Sequence, residues 1–192
     1  GVLFTVGTMS IRCFVAVECN SEDMIRRFID VQRRLERTGA DLKLVEPENI
    51  HMTLKFLGDT EPSRVEEVSR VIEEMKIEPF DMKVEGVGVF PHPGHVRIVW
   101  AGVKNGSEHL IEMFKKLEEK LSDIGFKKER RDLHPHLTIC RVRSGRNKEH
   151  LVEEINHLSD EEFGALHVDK FVLKKSELTP KGPIYTNIAE SG

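Results

Sequence analysis

The sequence predicts an α+β fold with two similar lobes, and three observations support that prediction. Strand-like segments alternate with amphipathic helices along the chain. The order strand, helix, strand, helix, strand occurs twice, which indicates an internal duplication. No Ser/Pro-rich linker separates the two occurrences, because FPHPG at 90–94 is only a short turn. We therefore expect a single domain over residues 9–190, with repeat units at about 10–90 and 95–190.

The predicted elements follow from the spacing of apolar residues and from capping residues. Ser21 can cap the first helix and Gly39 can end it. The first unit contains, in order, a strand at 11–18, a helix at 21–39, a strand at 51–58, a helix opened by Pro62 and a strand at 80–90. The second contains a strand at 95–103, a helix at 105–124, a strand at 134–142, a helix at 147–158, one or two strands within 163–178 and a last strand at 183–190.

Composition is typical of a soluble globular protein. Of the 192 residues, 39% are hydrophobic and 32% charged, and no apolar run approaches the roughly 18 residues of a membrane span. The first eight residues, GVLFTVGT, lack a basic leader and are short for a signal peptide. We interpret them as an N-terminal extension before Met9.

Cysteine usage favours a reducing compartment. The chain has three cysteines and no CxxC spacing, which argues against a disulfide framework or a zinc finger. We expect a cytoplasmic protein.

Charge is unevenly distributed along the chain. The net charge of −4 argues against an indiscriminate nucleic-acid binder. Residues 127–148, however, contain eight basic and two acidic residues, so this window carries +6 and the rest of the chain −10. Such a run is either a solvated face or a local patch for a phosphate-bearing substrate, and charge alone leaves both readings open.

A histidine–threonine pair occurs at matching points of the two units. HMTL begins at His51 and HLTIC at His136, each 40 positions after the start of its unit, at Ile11 and Val96. Alternate residues of a strand share one face, so each histidine is expected to lie beside its threonine. Two amphipathic strands with incidental histidines would show the same pattern.

The same alternation makes a prediction for the neighbouring side chains. It places Lys55 on the face of His51 and puts Phe56 on the opposite, apolar face, where we expect a core residue rather than a base-stacking ring. It also places Cys140 on the face of His136.

Two opposed histidines suit the opening of a cyclic phosphate. That reaction removes a proton from the attacking oxygen and delivers one to the leaving oxygen on the other side of phosphorus. An ordinary imidazole pKa near 6.5 lets one ring be neutral and the other charged near neutrality. Threonine hydroxyls and a nearby arginine can bind the non-bridging oxygens.

Four segments resemble one known family. HMTLKFLG and HLTICR look like the paired signatures of the 2H phosphoesterase superfamily. Together with MSIRCFVAVE and VGVFPHPGHVRIVWAGV, in this order, they resemble the RNA 2′,3′-cyclic phosphodiesterases, also called 2′-5′ RNA ligases, over residues 9–190.

The resemblance implies a bilobal 2H phosphoesterase-like fold. Two antiparallel sheets with outer helices would flank a central cleft in a pseudo-twofold arrangement. RNA with 2′,3′-cyclic phosphate ends, or cyclic nucleotides, would be hydrolysed there to 2′-phosphates, and ATP-independent 2′-5′ ligation would be possible. We expect a monomer with no cofactor, no metal and no membrane partner.

The resemblance also implies site residues. By motif, His51 is the proton donor and His136 the proton acceptor, with Thr53 and Thr138 beside them. Arg141 matches an arginine that often follows the second motif and would bind phosphate. Two further candidates for nucleotide contact lie in a family-like segment, Phe90 and Arg97.

Two other functions stay open. The chain could be a nucleotide- or RNA-binding module with vestigial catalysis, although a pure binder has no need of two proton-transfer groups. A metal-dependent phosphoesterase could use His92, His95 and His134 with His136, but no carboxylate or thiolate is well placed to complete the set.

Overall fold

Nine strands and four α-helices make up the fold in a computed structural model that describes residues 9–192. The predicted extension at residues 1–8 lies outside the described residues. The strands are β1 (Ile11–Glu18), β2 (Leu42–Leu44), β3 (His51–Thr60), β4 (Phe80–His92), β5 (His95–Asn105), β6 (His136–Val142), β7 (Glu162–Val168), β8 (Val172–Thr179) and β9 (Gly182–Glu190). The helices are α1 (Glu22–Glu36), α2 (Pro62–Glu74), α3 (Ser107–Asp123) and α4 (Lys148–His157), and a short 3-10 helix covers Pro47–Asn49.

The strands form two antiparallel sheets, as the resemblance implies. One has four strands in the order β3-β1-β8-β9, and the other has five in the order β2-β6-β5-β4-β7. Each motif strand, β3 or β6, pairs with the first strand of its own unit, β1 or β5. The order β3-β1-β8-β9 therefore corresponds, strand by strand, to β6-β5-β4-β7 of the other sheet. The two sheets are related in a pseudo-twofold way, and the five-stranded sheet has β2 as an additional edge strand.

The two sheets do not coincide with the two sequence repeats. Strand β4 of the first unit lies in the five-stranded sheet, whereas β8 and β9 of the second unit complete the four-stranded sheet. The helices are exchanged too. Helix α1 packs on β7, where the Phe28 and Phe163 rings are 4.7 Å apart, and α2 packs on β8, β9 and α3. Each lobe is thus built from both halves of the chain.

Most predicted elements are confirmed by the structure. The Ser21 side chain accepts the Met24 N–H at 3.2 Å and caps α1, and Gly39 ends that segment with a positive φ of 76°. The segment 163–178 contains two strands. Strand β2 and the 3-10 helix at Pro47–Asn49 were not predicted, because three residues are too few to show a periodic pattern.

The core lies between the sheets and their helices and is continuous across both lobes. Its fully buried side chains include Phe28, Met52, Leu117, Leu137 and Phe163. Over residues 9–192, no helix is both long enough and apolar enough to cross a membrane.

Candidate active site

The two motif strands bring their histidine–threonine pairs to one cleft. Strand β3 supplies His51 and Thr53, and strand β6 of the other sheet supplies His136 and Thr138. All four side chains line a cavity of about 380 Å³, together with Arg141. The predicted meeting of the two motifs is therefore observed.

Each motif strand carries a β-bulge at the residue after its threonine. In β3, Thr53 pairs with Ala16 and Lys55 with Val15, so Leu54 is the extra residue. In β6, Thr138 pairs with Trp100 and Cys140 with Val99, so Ile139 is the extra residue. A bulge shifts the alternation of side chains by one position. The third residue after each threonine, Phe56 or Arg141, consequently lies on the cleft face.

The bulges overturn three predictions from strict alternation. Phe56 is not a core residue, because 49% of it is exposed and it lines the cleft. Lys55 is not on the face of His51, because its side chain is 3% exposed and forms an ion pair with Glu118 of α3. Cys140 is fully buried, and burial raises the pKa of its thiol to about 12.

The bulge in β6 is held by a buried glutamine. Gln32 of α1 is 4% exposed, and its Nε2 donates to the Ile139 carbonyl at 3.1 Å and to the Val45 carbonyl at 2.8 Å. The Val45 N–H also donates to the Ile139 carbonyl, at 3.1 Å. The carbonyl of the extra residue in the bulge therefore has two donors although it lies in the interior.

The His51 ring is oriented by a backbone carbonyl and two aromatic rings. Its Nδ1 lies 2.6 Å from the Asn49 carbonyl, which can only accept, so Nδ1 carries the proton. Its Nε2 lies 3.0 Å from Thr53 Oγ1 and is the nitrogen available to a ligand. Phe14 and Tyr185 pack on the ring with centroids 5.1 and 5.2 Å away. Burial is the main cause that lowers the pKa of His51 to about 4.

His136 makes the same backbone contact through Nδ1 in the other sheet. Its Nδ1 lies 2.6 Å from the His134 carbonyl, which again leaves Nε2 available. Phe90 stands edge-on to the ring at 5.1 Å, and Trp100 lies 6.4 Å away. Burial lowers the pKa of His136 below its ordinary value. The structure thus places Phe90 against the flank of His136 and outside the cleft lining, and its contact with nucleotide stays a prediction.

The cations of the cleft come from four separate parts of the sequence. Arg141 is accompanied by Arg12, Lys43 and Lys181. Arg12 also lies over the Phe56 ring, with the guanidinium carbon 4.8 Å from the ring centroid. Arg12, Lys43 and Lys181 were not predicted as site residues, since none lies in a histidine–threonine motif or in the basic run, although Arg12 belongs to the family-like segment MSIRCFVAVE.

Of the eight lysines and arginines in the window 127–148, only Arg141 lines the cleft. Arg143 pairs with Asp41 at 3.0 Å, and Lys128 pairs with Glu119. Arg146 donates to the Gly39 carbonyl at 3.0 Å. Most of this run is therefore a surface feature.

A partly buried charge network lies behind His51. Lys174 is 7% exposed, and its Nζ donates to Asn187 Oδ1 at 2.8 Å and lies 3.3 Å from Glu18 Oε2. Asn187 Nδ2 in turn lies 3.3 Å from Glu18 Oε1. His51, Lys174 and Glu18 line one smaller cavity of about 230 Å³. The positive charge of Lys174 lowers the pKa of His51, and the negative charge of Glu18 raises it.

The remaining candidates lie away from the cleft lining. Arg97 is exposed, and its Nε donates to His95 Nε2 at 2.9 Å, so its contact with nucleotide also stays a prediction. The His92 and His95 rings are 6.4 Å apart. In the described part of the chain, no three His, Cys, Asp or Glu side chains are grouped closely enough to hold a metal ion.

Comparisons with known proteins indicate one family. Residues 13–191 match the family model described as the AKAP7 2′5′ RNA ligase-like domain. A protein of Methanothermobacter thermautotrophicus named RNA 2′,3′-cyclic phosphodiesterase is 40% identical over 184 residues, which cover 94% of this chain and 97% of the relative. A protein of the same name from Methanocaldococcus jannaschii is 39% identical over 181 residues, which cover 93% and 99%.

Solved structures share the fold. LigT of E. coli in its apo form superposes with a TM-score of 0.75 at 20% identity, covering 95% of this chain and 96% of LigT. LigT in complex with 3′-AMP gives a TM-score of 0.74 at 20% identity, with coverage of 94% and 97%. Because the family model spans residues 13–191 and both relatives match over nearly their full length, the chain belongs to the 2′-5′ RNA ligase-like family of 2H phosphoesterases.

Proposed function

We propose that this protein hydrolyses 2′,3′-cyclic phosphates of RNA or nucleotides to 2′-phosphates, with His51 and His136 transferring the protons. One observation carries the proposal. Both imidazoles line the same cleft, and each has its Nδ1 proton donated to a backbone carbonyl, so both Nε2 atoms are available to one substrate. The two relatives described above are both named RNA 2′,3′-cyclic phosphodiesterase, which supports the same reaction for this chain.

The proposed reaction is an in-line displacement at phosphorus. His136 Nε2 takes a proton from water as the water oxygen bonds to phosphorus. The bond from phosphorus to O3′ breaks, and His51 Nε2 delivers its proton to O3′. The family resemblance assigns the two roles.

To act as proton donor, His51 must gain its proton when substrate binds. A pKa of about 4 makes the protonated ring a strong acid toward the leaving oxygen. The same pKa leaves the ring neutral in the empty cleft at pH 7. A bound phosphate brings negative charge next to Nε2, which favours the charged ring and raises its pKa in the complex.

The non-bridging oxygens require positive partners while charge develops. Thr53 and Thr138 present hydroxyls beside the two histidines, and Arg141 presents a guanidinium from the same strand as His136. Such donors are most effective in a partly buried site, because water screens them less there. Because these groups supply the charge stabilisation, we propose that the reaction needs no metal ion.

The same site can join RNA ends. If an RNA 5′-hydroxyl takes the place of water, it loses its proton to His136 and its oxygen bonds to phosphorus. O3′ leaves with the proton of His51, and the product has a 2′-5′ linkage. The opening of the strained cyclic phosphate supplies the energy, so no ATP is consumed.

The test measures turnover of nucleoside 2′,3′-cyclic phosphates in EDTA, with chromatography that separates 2′- from 3′-phosphates. We expect turnover with a 2′-phosphate product. His51→Ala and His136→Ala should each lower kcat by roughly 10² to 10⁴. His150→Ala, on the exposed surface of α4, is the matched control and should retain the wild-type rate.

Other outcomes would identify the alternatives. Tight binding of the cyclic nucleotide without turnover would favour a binding module. Activity that disappears in EDTA and returns with added metal would favour a metal-dependent enzyme. A His51→Ala variant as active as wild type would overturn the two-histidine mechanism.

A further inference from the structure

The cleft extends beyond Arg141 toward the edge of the five-stranded sheet. Lys43 of β2 is the direct cross-strand partner of Arg141 in β6, and both line the cleft. Directly paired residues of antiparallel strands project from the same face of a sheet, with their Cβ atoms roughly 5 Å apart. Lys43 therefore places a second cation one strand beyond the guanidinium.

The turn between β8 and β9 approaches Lys43 from the opposite lobe. A Cβ built on Gly182 would lie 3.9 Å from Lys43 Nζ, and Lys181 precedes Gly182 and also lines the cleft. The turn is well anchored, because the Thr179 hydroxyl donates to the Gly182 carbonyl at 2.6 Å and accepts the Lys181 N–H at 3.3 Å.

The same hairpin is also tied to the site itself. Asn49 Nδ2 donates to the Pro183 carbonyl at 3.2 Å, while the Asn49 carbonyl accepts from His51. Asn49 therefore connects the hairpin that carries Lys181 to the ring of His51.

These two lysines have no acidic partner. Over residues 9–192, neither Lys43 nor Lys181 is within 4 Å of a carboxylate, whereas the neighbouring Arg143 is neutralised by Asp41. Both ammonium groups line the same cleft, which also contains the Glu46 side chain, and a bound anion would supply the close negative partner that the lysines lack.

We propose that Lys43 and Lys181 form a second phosphate subsite and are the residues through which this site favours an oligonucleotide over a mononucleotide. This rests on the proposed function, because the terminal cyclic phosphate must first occupy the histidine pair. A cyclic mononucleotide has only that one phosphate. An oligonucleotide has a further phosphate on the 5′ side of its terminal nucleoside, and the two lysines would bind it.

The test compares two substrates with the same terminal nucleoside, a nucleoside 2′,3′-cyclic phosphate and a dinucleotide that ends in it. We expect kcat/KM of the wild-type protein to favour the dinucleotide roughly tenfold, as one charge-assisted contact would. In the double variant Lys43→Ala/Lys181→Ala the ratio should approach one. The slope of log kcat/KM against log salt for the dinucleotide should become shallower by about 0.7.

The control variant removes the same number of positive charges at a site outside the cleft. Lys115 and Lys116 are exposed on α3, away from the cleft lining, and Lys115→Ala/Lys116→Ala should preserve the wild-type ratio. A wild-type ratio near one, or a ratio unaffected by the double variant, would overturn the subsite.

A second measurement separates this outcome from failure of the proposed function. Calorimetry with the two 2′-phosphate products, the mononucleotide and the dinucleotide, compares the same contacts without turnover. Tighter binding of the dinucleotide that is lost in Lys43→Ala/Lys181→Ala would support the subsite even in a chain that hydrolyses neither substrate. Equal binding would refute it.

Discussion

At the scale of single residues, the environment of His51 contains two opposed charges. Lys174 disfavours the charged ring and Glu18 favours it, while burial is the larger cause of the low pKa. His136 is the other titrating group that acts on the ring, and Tyr185 packs edge-on against it without being charged near neutral pH. The acidity of His51 is therefore open to adjustment from behind the cleft.

This arrangement predicts pKa changes of opposite sign. Lys174→Met removes the positive neighbour and should raise the pKa of His51, so the ring keeps its proton to higher pH. Glu18→Gln removes the negative neighbour and should lower that pKa. Titration of the histidine ring signals by NMR measures both.

His136 in the same spectra provides the internal reference. Neither Lys174 nor Glu18 contributes to its lowered pKa, so its titration should be nearly the same in both variants. Shifts of His51 in the same direction in both variants would indicate a general structural disturbance and contradict the electrostatic account.

Some residues of the site could be predicted from the sequence, and others could not. The two histidine–threonine pairs and Arg141 were identified by motif, and all five line the cleft. Arg12, Lys43 and Lys181 were missed because only the folded chain brings them together. A lysine in a three-residue strand, such as Lys43, shows nothing in sequence that marks it as part of a site.

At the scale of elements, strand β3 is joined to helix α3 by a buried ion pair. Lys55 Nζ lies 2.6 Å from Glu118 Oε1, without the alignment of a good hydrogen bond, and donates to the Lys127 carbonyl at 2.7 Å. Glu118 Oε2 accepts the Glu129 N–H at 2.6 Å. The pair thus connects the strand that carries His51 to the helix behind it and to the segment after that helix.

Removing one partner should be more harmful than removing both. Lys55→Met leaves Glu118 buried and uncompensated, so we expect the free energy of unfolding to fall by about 3 to 5 kcal/mol. The double variant Lys55→Met/Glu118→Leu should recover part of that loss, with roughly 1 kcal/mol remaining for each of two unmatched backbone groups, the Glu129 N–H and the Lys127 carbonyl. Urea denaturation of the two variants and wild type measures the difference.

A matched exposed pair serves as the control. Arg70 and Glu66 form an exposed ion pair on α2, and Arg70→Met should change stability by less than about 1 kcal/mol. Equal losses in Lys55→Met and Arg70→Met would contradict the argument from burial.

The elements themselves were largely predictable, whereas their irregularities were not. Apolar periodicity located the four helices and the long strands. Each bulge places two adjacent residues in the interior, Leu54 with Lys55 and Ile139 with Cys140. Strict alternation assigns one residue of each pair to the opposite face, so it cannot predict a bulge. Because Lys55 is charged, its predicted place on the polar face beside His51 agreed with the pattern, although the prediction was wrong.

At the scale of the whole molecule, each lobe depends on both halves of the chain. Strand β1 lies between β3 and β8, and β4 lies between β5 and β7. A chain divided at the turn 93–94 would leave both halves with unpaired strands and uncovered apolar faces.

Separate fragments should therefore be unfolded. We expect residues 9–93 and residues 94–192 each to lack cooperative thermal unfolding, and an equimolar mixture to regain it. Circular dichroism of the two fragments, their mixture and the intact chain provides the measurement. Cooperative unfolding of either fragment alone would show that the sequence repeat is also a folding unit.

The twin bulges have a consequence for the direction in which a substrate can lie. Two nearly equivalent histidines in a pseudo-symmetric frame would hold a cyclic phosphate almost equally well in either of two opposite poses. The position after each bulge differs, however, since one side presents the ring of Phe56 and the other the guanidinium of Arg141. The two poses are then unequal in energy, and that inequality would decide which ribose oxygen keeps the phosphate.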